Sequence, residues 1–562
     1  MTKEQMTFVI GFVAFILAVA WVIWKNNRQQ YQWFLHKVKN MWGNIPEREY
    51  TAKELDSISH YAKNHQDGRF MIDDITWNDL SMDQIFMMMN GTMSSCGEDV
   101  LYRMLRIPEF DREVLKKRNE LITYFSQNEK ERIEIQHLVS KVKKMSELSI
   151  SDYIYALKDV DRKSNLKYII MAVLTLASIG LIFVSPALGV FVLIAMLVNN
   201  GMVHMRDAKK IEPYLNCVVC IIRLLSAADG FAKIKNPKIQ PYLDRIENGR
   251  KKMKDFRKGS YLVASSNSIQ DGLEGIIISY LKILFHVDLI KFYSMLKSVD
   301  GHEEDIDDMF AAMGELDALI AIASFREFLP YYCLPDLKEK TSGQVTCSIE
   351  NMYHPMIEEP VPNSIHIYKG VLITGSNASG KSTFLKTVAI NAILAQTIYT
   401  CSAESYRSDF LRVLTSMALR DDLTSGESYY IVEIKSLKRI LKECETGEPV
   451  LCIVDEVLRG TNTIERIAAS SRILRSLGKG NVLPLAATHD IELSYILEDV
   501  YENYHFEEEI VENDVLFNYL IKDGRATSRN AIKLLEIIGY DKKIIEDAQA
   551  AAKKFETTGS WS

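Results

Sequence analysis

Two long apolar runs are the first pattern that the chain presents. Thr7 to Trp24 is an 18-residue run without a charged side chain, and a second uncharged run extends from Tyr168 to Met205. A helix rises about 1.5 Å per residue, so the first run spans about 27 Å, the apolar thickness of a bilayer. We therefore predict an N-terminal transmembrane anchor within residues 1–25. A cleaved signal peptide is the alternative, but no small-residue cleavage site follows the run.

The second run is too long for a single crossing, and Ser185-Pro186 with Gly189 divides it into Tyr168–Val184 and Val190–Val203. We predict a helical hairpin over residues 167–205 that crosses the membrane twice or enters and returns. A buried hairpin in a soluble domain is the alternative. Basic residues flank the hairpin on both sides and follow the anchor, which places the flanking regions in the cytoplasm of a multi-pass cell-membrane protein. These residues are Arg162, Lys163, Lys167, Arg206, Lys209 and Lys210 around the hairpin, and Lys25, Arg28, Lys37 and Lys39 after the anchor.

The pattern of the remaining chain predicts two fold types. Residues 26–166 and 206–344 have mainly helical periodicity and are assigned to a cytoplasmic helical core. From residue 345 to 562, short β-branched runs alternate with amphipathic helices, which predicts a parallel, doubly wound α/β sheet. Residues 501–521 have the pattern of a β-hairpin that turns around Glu512–Asp514.

Composition narrows the classes of function. The chain has 562 residues with 47% hydrophobic and 25% charged residues, which excludes a mostly disordered protein. The net charge of −7 excludes a polycation, so any contact with nucleic acid must come from a local basic patch. The basic stretch Lys233–Lys258 is the candidate, and DNA phosphates, anionic lipid and plain solvent are its three possible neighbours. The eight cysteines fit a reducing compartment, and Cys217 and Cys220 are expected to be buried helix residues rather than zinc ligands.

The segment Gly375–Ser382 fits the phosphate-loop pattern G-x-x-x-x-G-K-[ST] between a predicted strand and a predicted helix. Glycines let backbone N–H groups surround phosphate oxygens, and the helix N-terminus adds a positive dipole. We expect Lys381 to pair with the β- and γ-phosphates of ATP and Ser382 to ligate Mg²⁺. The predicted nucleotide-binding residues are Gly375, Ser376, Asn377, Ala378, Ser379, Gly380, Lys381, Ser382 and Thr383.

Two further strand ends carry polar residues that suit hydrolysis. The apolar run Val450–Val454 ends in Asp455, a second Mg²⁺ ligand, and Glu456, which is placed to orient or deprotonate the attacking water. Another strand ends in Thr488-His489, where a histidine can reach a γ-phosphate or its water.

Four segments in this order resemble the ATPase domain of the MutS DNA mismatch-repair family: GSNASGKSTFLK, DDLTSGESYYIVEI, VDEVLRGTNT and ATHDIEL. The resemblance covers about residues 345–555 and continues, more weakly, at Asn90 and Gly314 in the helical core. It implies an ABC-like P-loop ATPase of the MutS type that works as a homodimer. It also implies that Ser428 acts on the γ-phosphate in the opposite subunit, that Glu433 follows as in the family, and that Asp455, Glu456 and His489 are the metal, catalytic and sensor positions. Ser376 stands where the family usually has proline.

The resemblance also sets the functional alternatives. About 60 residues separate the predicted anchor from the core-like start, too few for the family's mismatch-reading domain, so mismatch reading itself is not expected. The expectation is a membrane-anchored ATPase that binds DNA. The alternative is a membrane mechanochemical ATPase, ABC-like in logic, without a role on DNA.

Overall fold

The computed structural model of the chain is a mainly helical region joined to a mixed α/β region. The residues that the structure describes are 3–144, 149–150, 152, 154, 157, 165–254, 256, 282–339, 344–376, 379–417, 429–458, 462–511, 514–526, 532, 535 and 538–558. They form two compact units. The first contains Met1–Asp67, Phe86–Met104 and Glu120–Phe328, and the second contains Gly68–Ile85, Leu105–Asn119 and Leu329–Ser562. The boundaries predicted from the sequence stay predictions.

The described helices follow the predicted periodicity, with a long N-terminal helix that continues well past the apolar run. In chain order they are α1 (Lys3–Met41), α2 (Ala52–Asn64), α3 (Asp74–Asp79), α4 (Met82–Met89), α5 (Ser95–Arg106), α6 (Arg112–Gln127), α7 (Glu129–Val139), α8 (Leu166–Val184), α9 (Pro186–Phe231), α10 (Gln240–Lys252), α11 (Val287–Val299), α12 (Glu303–Phe328), α13 (Lys381–Thr397), α14 (Tyr429–Cys444), α15 (Thr463–Leu477), α16 (Ile491–Ile496) and α17 (Lys542–Thr558).

The predicted helix break at Ser185-Pro186 is confirmed. Ser185 is extended (φ −145°), and α9 starts at Pro186, where proline lacks only an N–H that has no intrahelical acceptor. The helices α8 and α9 pack against each other, and Asn200 Nδ2 donates to Thr175 Oγ1 at 2.8 Å between them. Instead of ending near Val203, α9 continues to Phe231 and includes Pro213 in its interior, where Cys217 and Val218 beyond the proline are buried.

Three described stretches are long and apolar enough to cross a membrane. Leu166–Val184 and Pro186–Glu212 have mean hydropathies of 2.2 and 1.9 and are only 22% and 11% buried within the protein. Tyr214–Phe231 has a lower mean hydropathy of 1.5 and is 56% buried. Cys217 and Cys220 lie on the buried side of this last stretch, as predicted for structural helix residues.

The second unit contains two sheets. The six-stranded sheet has the order β10-β9-β4-β8-β7-β6, and the four-stranded sheet has the order β1-β5-β2-β3. The strands are β1 (Asp336–Lys338), β2 (Cys347–Met352), β3 (Asn363–Ile367), β4 (Gly370–Thr374), β5 (Ser405–Asp409), β6 (Arg412–Ser416), β7 (Val450–Asp455), β8 (Val482–Thr488), β9 (Tyr501–Val511) and β10 (Asp514–Asp523).

The six-stranded sheet confirms the predicted parallel core. Strands β6, β7, β8, β4 and β9 pair in parallel, and β10 returns antiparallel along β9 as the predicted hairpin. Every residue of β4, β7 and β8 is buried, which is typical of central strands covered on both faces. The phosphate loop follows β4 directly, so the buried core holds it at the same sheet edge as the ends of β7 and β8.

A short segment from early in the chain completes the second unit. In α3, the Thr76 hydroxyl accepts the Thr415 N–H of edge strand β6, and Asp79 accepts from the Thr415 hydroxyl at 2.6 Å and the Met417 N–H at 3.0 Å. Burial raises the pKa of Asp79 above its usual range. The segment thus pairs polar groups that an exposed edge strand would otherwise present to solvent or to another chain.

Candidate functional site

The phosphate loop takes a conformation that needs its two glycines. Gly375 has φ +147°, and a Cβ there would lie 2.9 Å from Phe506 O; Gly380 has φ +103° and would bring a Cβ within 3.2 Å of Tyr519. Helix α13 begins immediately after Gly380, so its N-terminal N–H groups are directed at the loop. Asn377 and Ala378, also predicted to bind nucleotide, lie outside the described residues.

Three predicted side chains meet at the start of α13. Lys381 is buried, and its Nζ donates to Gly375 O at 2.8 Å and to Ser376 O at 2.5 Å, inside the loop. Ser382 Oγ donates to Asp455 Oδ2 at 2.6 Å across the sheet edge. Lys381 Nζ therefore lies where the loop would bind phosphate oxygens. The two expected metal ligands, Ser382 and Asp455, contact each other.

Strand order explains why the catalytic candidates converge. Strand β8 lies between β4 and β7. The C-terminal ends of the three strands, at Thr374, Thr488 and Asp455, are therefore adjacent. Glu456 follows β7, and its Oε1 lies 2.6 Å from Nε2 of His489, which follows β8. The structure thus brings together Lys381, Ser382, Asp455, Glu456 and His489, all of which the sequence singled out.

The donor set fits a magnesium ion held together with substrate phosphates. Among the described residues, the buried Oδ1 of Asp455 has no hydrogen-bond partner, and the Ser382 hydroxyl is already beside Oδ2. No group of three or more His, Cys, Asp or Glu residues suited to a metal occurs among the described residues. One carboxylate and one hydroxyl, completed by phosphate and water, match the ligation that Mg²⁺ prefers.

A cavity of about 550 Å³ opens over the loop and is large enough for a nucleotide. Its walls combine the loop with aromatic and apolar side chains, and burial lowers the pKa of His354 to about 4, so this histidine is neutral at pH 7. Neutral, flat rings beside a phosphate loop can pack against a base. The rings that line the cavity belong to Tyr353, His354, Phe384, Phe506 and Tyr519.

Sequence reasoning missed several residues that hold this site. Arg466 on α15 makes two hydrogen bonds, of 2.6 and 2.8 Å, to the carboxylate of Asp490, and these bonds raise the arginine's pKa. Because Asp490 follows His489 directly, the pair fixes the backbone that presents the histidine. The Ser376 hydroxyl donates to the buried carboxylate of Glu508 on β9. No motif marks these partners, since each comes from another part of the chain.

Residues 371–556 match the family model described as MutS domain V. The chain is 31% identical over 202 residues to DNA mismatch repair protein MutS of Thermus thermophilus, covering 35% of this chain and 25% of the relative. It is 27% identical over 284 residues to the MutS protein of Staphylococcus haemolyticus, covering 48% and 31%. It is 28% identical over 337 residues to that of Leptospira interrogans, covering 56% and 39%.

The chain therefore spans a quarter to two-fifths of the length of these relatives. The matches support membership of the MutS family, as the ordered motifs indicated. Members of the MutS family are ATPases that bind ATP, typically with Mg²⁺. The mixed sheets and helical core described above fit MutS-like domains. Ser428 lies outside the described residues, so its assignment across a MutS-type dimer stays a prediction.

Four basic residues of the stretch 233–258 form ion pairs within the first unit: Arg245, Arg250, Lys251 and Lys252. Arg245 contacts Asp308 at 2.7 Å and Glu315 at 3.2 Å, and Lys252 contacts Asp305 at 2.7 Å. Arg250 pairs with Glu247 at 2.7 Å and with Asp229 at 3.4 Å. These acidic partners reduce the charge available for a polyanion and favour a solvated helix face for α10. Arg257 and Lys258 lie outside the described residues.

Proposed function

We propose that this chain is a membrane-anchored, magnesium-dependent ATPase of the MutS type. The observation that carries the proposal is the meeting of Lys381, Ser382, Asp455, Glu456 and His489 at one edge of the parallel sheet. This arrangement supplies a phosphate cradle, two metal-ligating oxygens and a carboxylate beside a histidine. The same set is what phosphoryl transfer to water requires.

Each side chain has a separate role in this proposal. Lys381 turns from the loop carbonyls to the β- and γ-phosphates, and its positive charge offsets theirs. Ser382 and Asp455 would hold Mg²⁺, which would supply positive charge to the phosphate oxygens. Glu456 accepts a proton from the attacking water, and His489, 2.6 Å from its Oε1, keeps that carboxylate oriented.

Nucleotide binding is tested with Lys381→Ala in the full chain. We expect the Kd for a fluorescent ATP analogue to rise by about tenfold or more, because a buried, charge-assisted phosphate contact is lost. Lys442→Ala, at an exposed lysine in the last turn of α14, is the matched control and should leave the Kd unchanged. Equal affinity of the wild type and Lys381→Ala would exclude the phosphate loop as the binding site.

We further propose a homodimer in which Ser428 completes the site of the partner subunit. The support is the resemblance of the segment around Ser428 to the MutS family. Co-expressed Lys381→Ala and Ser428→Ala chains should regain part of the activity that each lacks alone, since both lesions of a mixed dimer can fall on one site. No recovery in purified mixed dimers would contradict the shared site.

The membrane assignment is supported by the outward apolar faces of α8 and α9. Large apolar side chains on these helices are more than half exposed, among them Val173, Phe183, Phe191, Ile194 and Met202. A soluble protein rarely exposes a contiguous apolar surface of this extent. We propose that Leu166–Val184 and the first part of α9 lie in the bilayer, that α1 is the N-terminal anchor, and that the ATPase domain is cytoplasmic.

ATP hydrolysis by this chain can serve one of two functions, which are DNA binding and mechanical work on a membrane partner. Kinship to MutS favours DNA, whereas the internal pairing of α10 weakens the basic stretch as a phosphate-binding surface. The discriminating experiment measures duplex DNA binding by the full chain in nanodiscs between 50 and 200 mM salt. Binding that falls steeply with salt supports the DNA function, and no binding at the lower salt concentration supports the mechanochemical alternative.

A further inference from the structure

We infer that Glu433 is a positioning residue that fixes the turn carrying the catalytic carboxylate Glu456. Glu433 lies in the second turn of α14 and is buried, with 8% of its surface exposed. Its Oε1 accepts the backbone N–H of Leu458, which follows Glu456 by two residues. This inference rests on the ATPase function proposed above.

The backbone after β7 is held in a conformation that it would not adopt unaided. Glu456 has φ +55° and Leu458 has φ +61°, both in the left-handed region, although neither is glycine. This region is unfavourable for residues with a side chain, and such residues persist in it only where their surroundings fix them. Two side-chain interactions and one backbone bond do so here.

Those three restraints act on successive residues. The Glu456 N–H donates to Ala487 O at 3.0 Å, the Ser470 hydroxyl donates to Val457 O at 3.3 Å, and the Leu458 N–H donates to Glu433. The Glu433 acceptor belongs to a side chain on helix α14, so a substitution can remove it without altering the backbone of the turn itself. Removing it would leave a buried amide without its acceptor and would favour relaxation of the turn.

Relaxation of this turn would move the reacting group. The direction in which the chain leaves Asp455 sets where the Glu456 carboxylate lies, now 2.6 Å from His489 Nε2. A shift of about 1 Å in a catalytic group can cost on the order of 10² in rate without altering substrate contacts. The phosphate loop and Lys381 follow a different strand, β4, so nucleotide affinity should change little.

The test compares three substitutions at Glu433 in the full chain in nanodiscs. Glu433→Ala should lower kcat by about tenfold or more and leave the Kd for ATP within about twofold. Glu433→Gln should retain most of kcat, because its side-chain oxygen can still accept the Leu458 N–H. Glu433→Asp keeps the carboxyl group but shortens the side chain by one methylene, so its kcat should fall as in Glu433→Ala. This variant keeps the test valid if Glu433→Ala folds poorly.

Glu443→Ala is the matched control, because it removes an ion pair to Arg412 near the end of the same helix. It should change kcat and Kd little. Wild-type kcat in Glu433→Ala and Glu433→Asp would overturn the inference, as would equal losses in the Gln and Ala variants. A wild-type chain that hydrolyses no ATP would instead overturn the proposed function, so the two failures are distinguishable.

Discussion

At the scale of single residues, the contact between Ser376 and Glu508 distinguishes this phosphate loop. The buried carboxylate of Glu508 accepts a hydrogen bond from the Ser376 hydroxyl of the phosphate loop. A carboxylate at this place repels the phosphates of ATP when the loop binds them. We predict that Glu508→Gln lowers the Kd for ATP by about fivefold, equivalent to about 1 kcal/mol of binding free energy. The glutamine still accepts the serine hydroxyl, so the loop should keep its shape.

Glu507→Gln provides the control for this prediction. Glu507 is the neighbouring residue on β9, and its carboxylate is paired with His505 at 2.8 Å and Lys522 at 2.7 Å. It should leave the Kd for ATP unchanged. Isothermal titration of both variants checks the prediction, and weaker binding by Glu508→Gln would show that the carboxylate assists the nucleotide instead.

Residue chemistry was predictable from the sequence only where a motif fixes both residue type and place. Lys381, Ser382 and Asp455 meet as expected, because a phosphate loop after one strand and an acidic residue after another must share a sheet edge. Glu508 and Arg466 could not be found, since their partners are set by strand pairing and helix packing between distant segments. Ser428 lies outside the described residues, so its assignment rests on the sequence alone.

At the scale of elements, the turn between α8 and α9 depends on Gly189. A Cβ at this position would lie 2.5 Å from Ile182 N, which is backbone and cannot move aside cheaply. We predict that Gly189→Ala separates the two helices and lowers the midpoint of thermal unfolding in detergent by several degrees. Glycine at this turn is therefore a packing requirement, which the sequence showed only as a break in the apolar run.

Gly180→Ala tests the same substitution without the clash. Gly180 is exposed on α8, and no atom lies within 4 Å of a Cβ built there. Alanine is favoured over glycine in a helix by roughly 0.5–1 kcal/mol, so this variant should unfold at the same or a higher temperature. Equal losses in the two variants would refute the close approach at Gly189.

Element types were easier to predict than their partners. The local pattern of apolar and polar residues predicts three features of the second unit: the connection from β4 to α13, the buried strands β7 and β8, and the β9–β10 hairpin. The docking of α3 on β6 does not, because Thr76 and Asp79 look like ordinary surface residues until Thr415 and Met417 are placed beside them. The continuation of α9 to Phe231 likewise reflects core packing around Cys217 and Val218 rather than a sequence signal.

At the scale of the whole molecule, the proposed topology places both soluble regions on the cytoplasmic side. Lys53 and Glu445 are exposed residues of the first and second units, and each is replaced by cysteine (Lys53→Cys and Glu445→Cys). In a background without native cysteines, both should resist an impermeant maleimide in intact cells and react after lysis. Labelling of either position in intact cells would contradict the topology.

Leu188→Cys, at the half-exposed start of α9, separates the two forms of the hairpin. Labelling in intact cells indicates a hairpin that crosses the membrane twice, and protection until lysis indicates one that enters and returns. Both outcomes keep the ends of the hairpin in the cytoplasm, as the basic flanks predict.

The central claim is that this sheet edge hydrolyses ATP through Glu456. The most direct measurement is phosphate release by the full chain in nanodiscs with ATP and Mg²⁺, for the wild type and Glu456→Gln. The account predicts wild-type turnover that depends on Mg²⁺, and a fall in kcat on the order of 10² or more in Glu456→Gln with ATP binding retained. Equal turnover by the two chains, or none by the wild type, would contradict it.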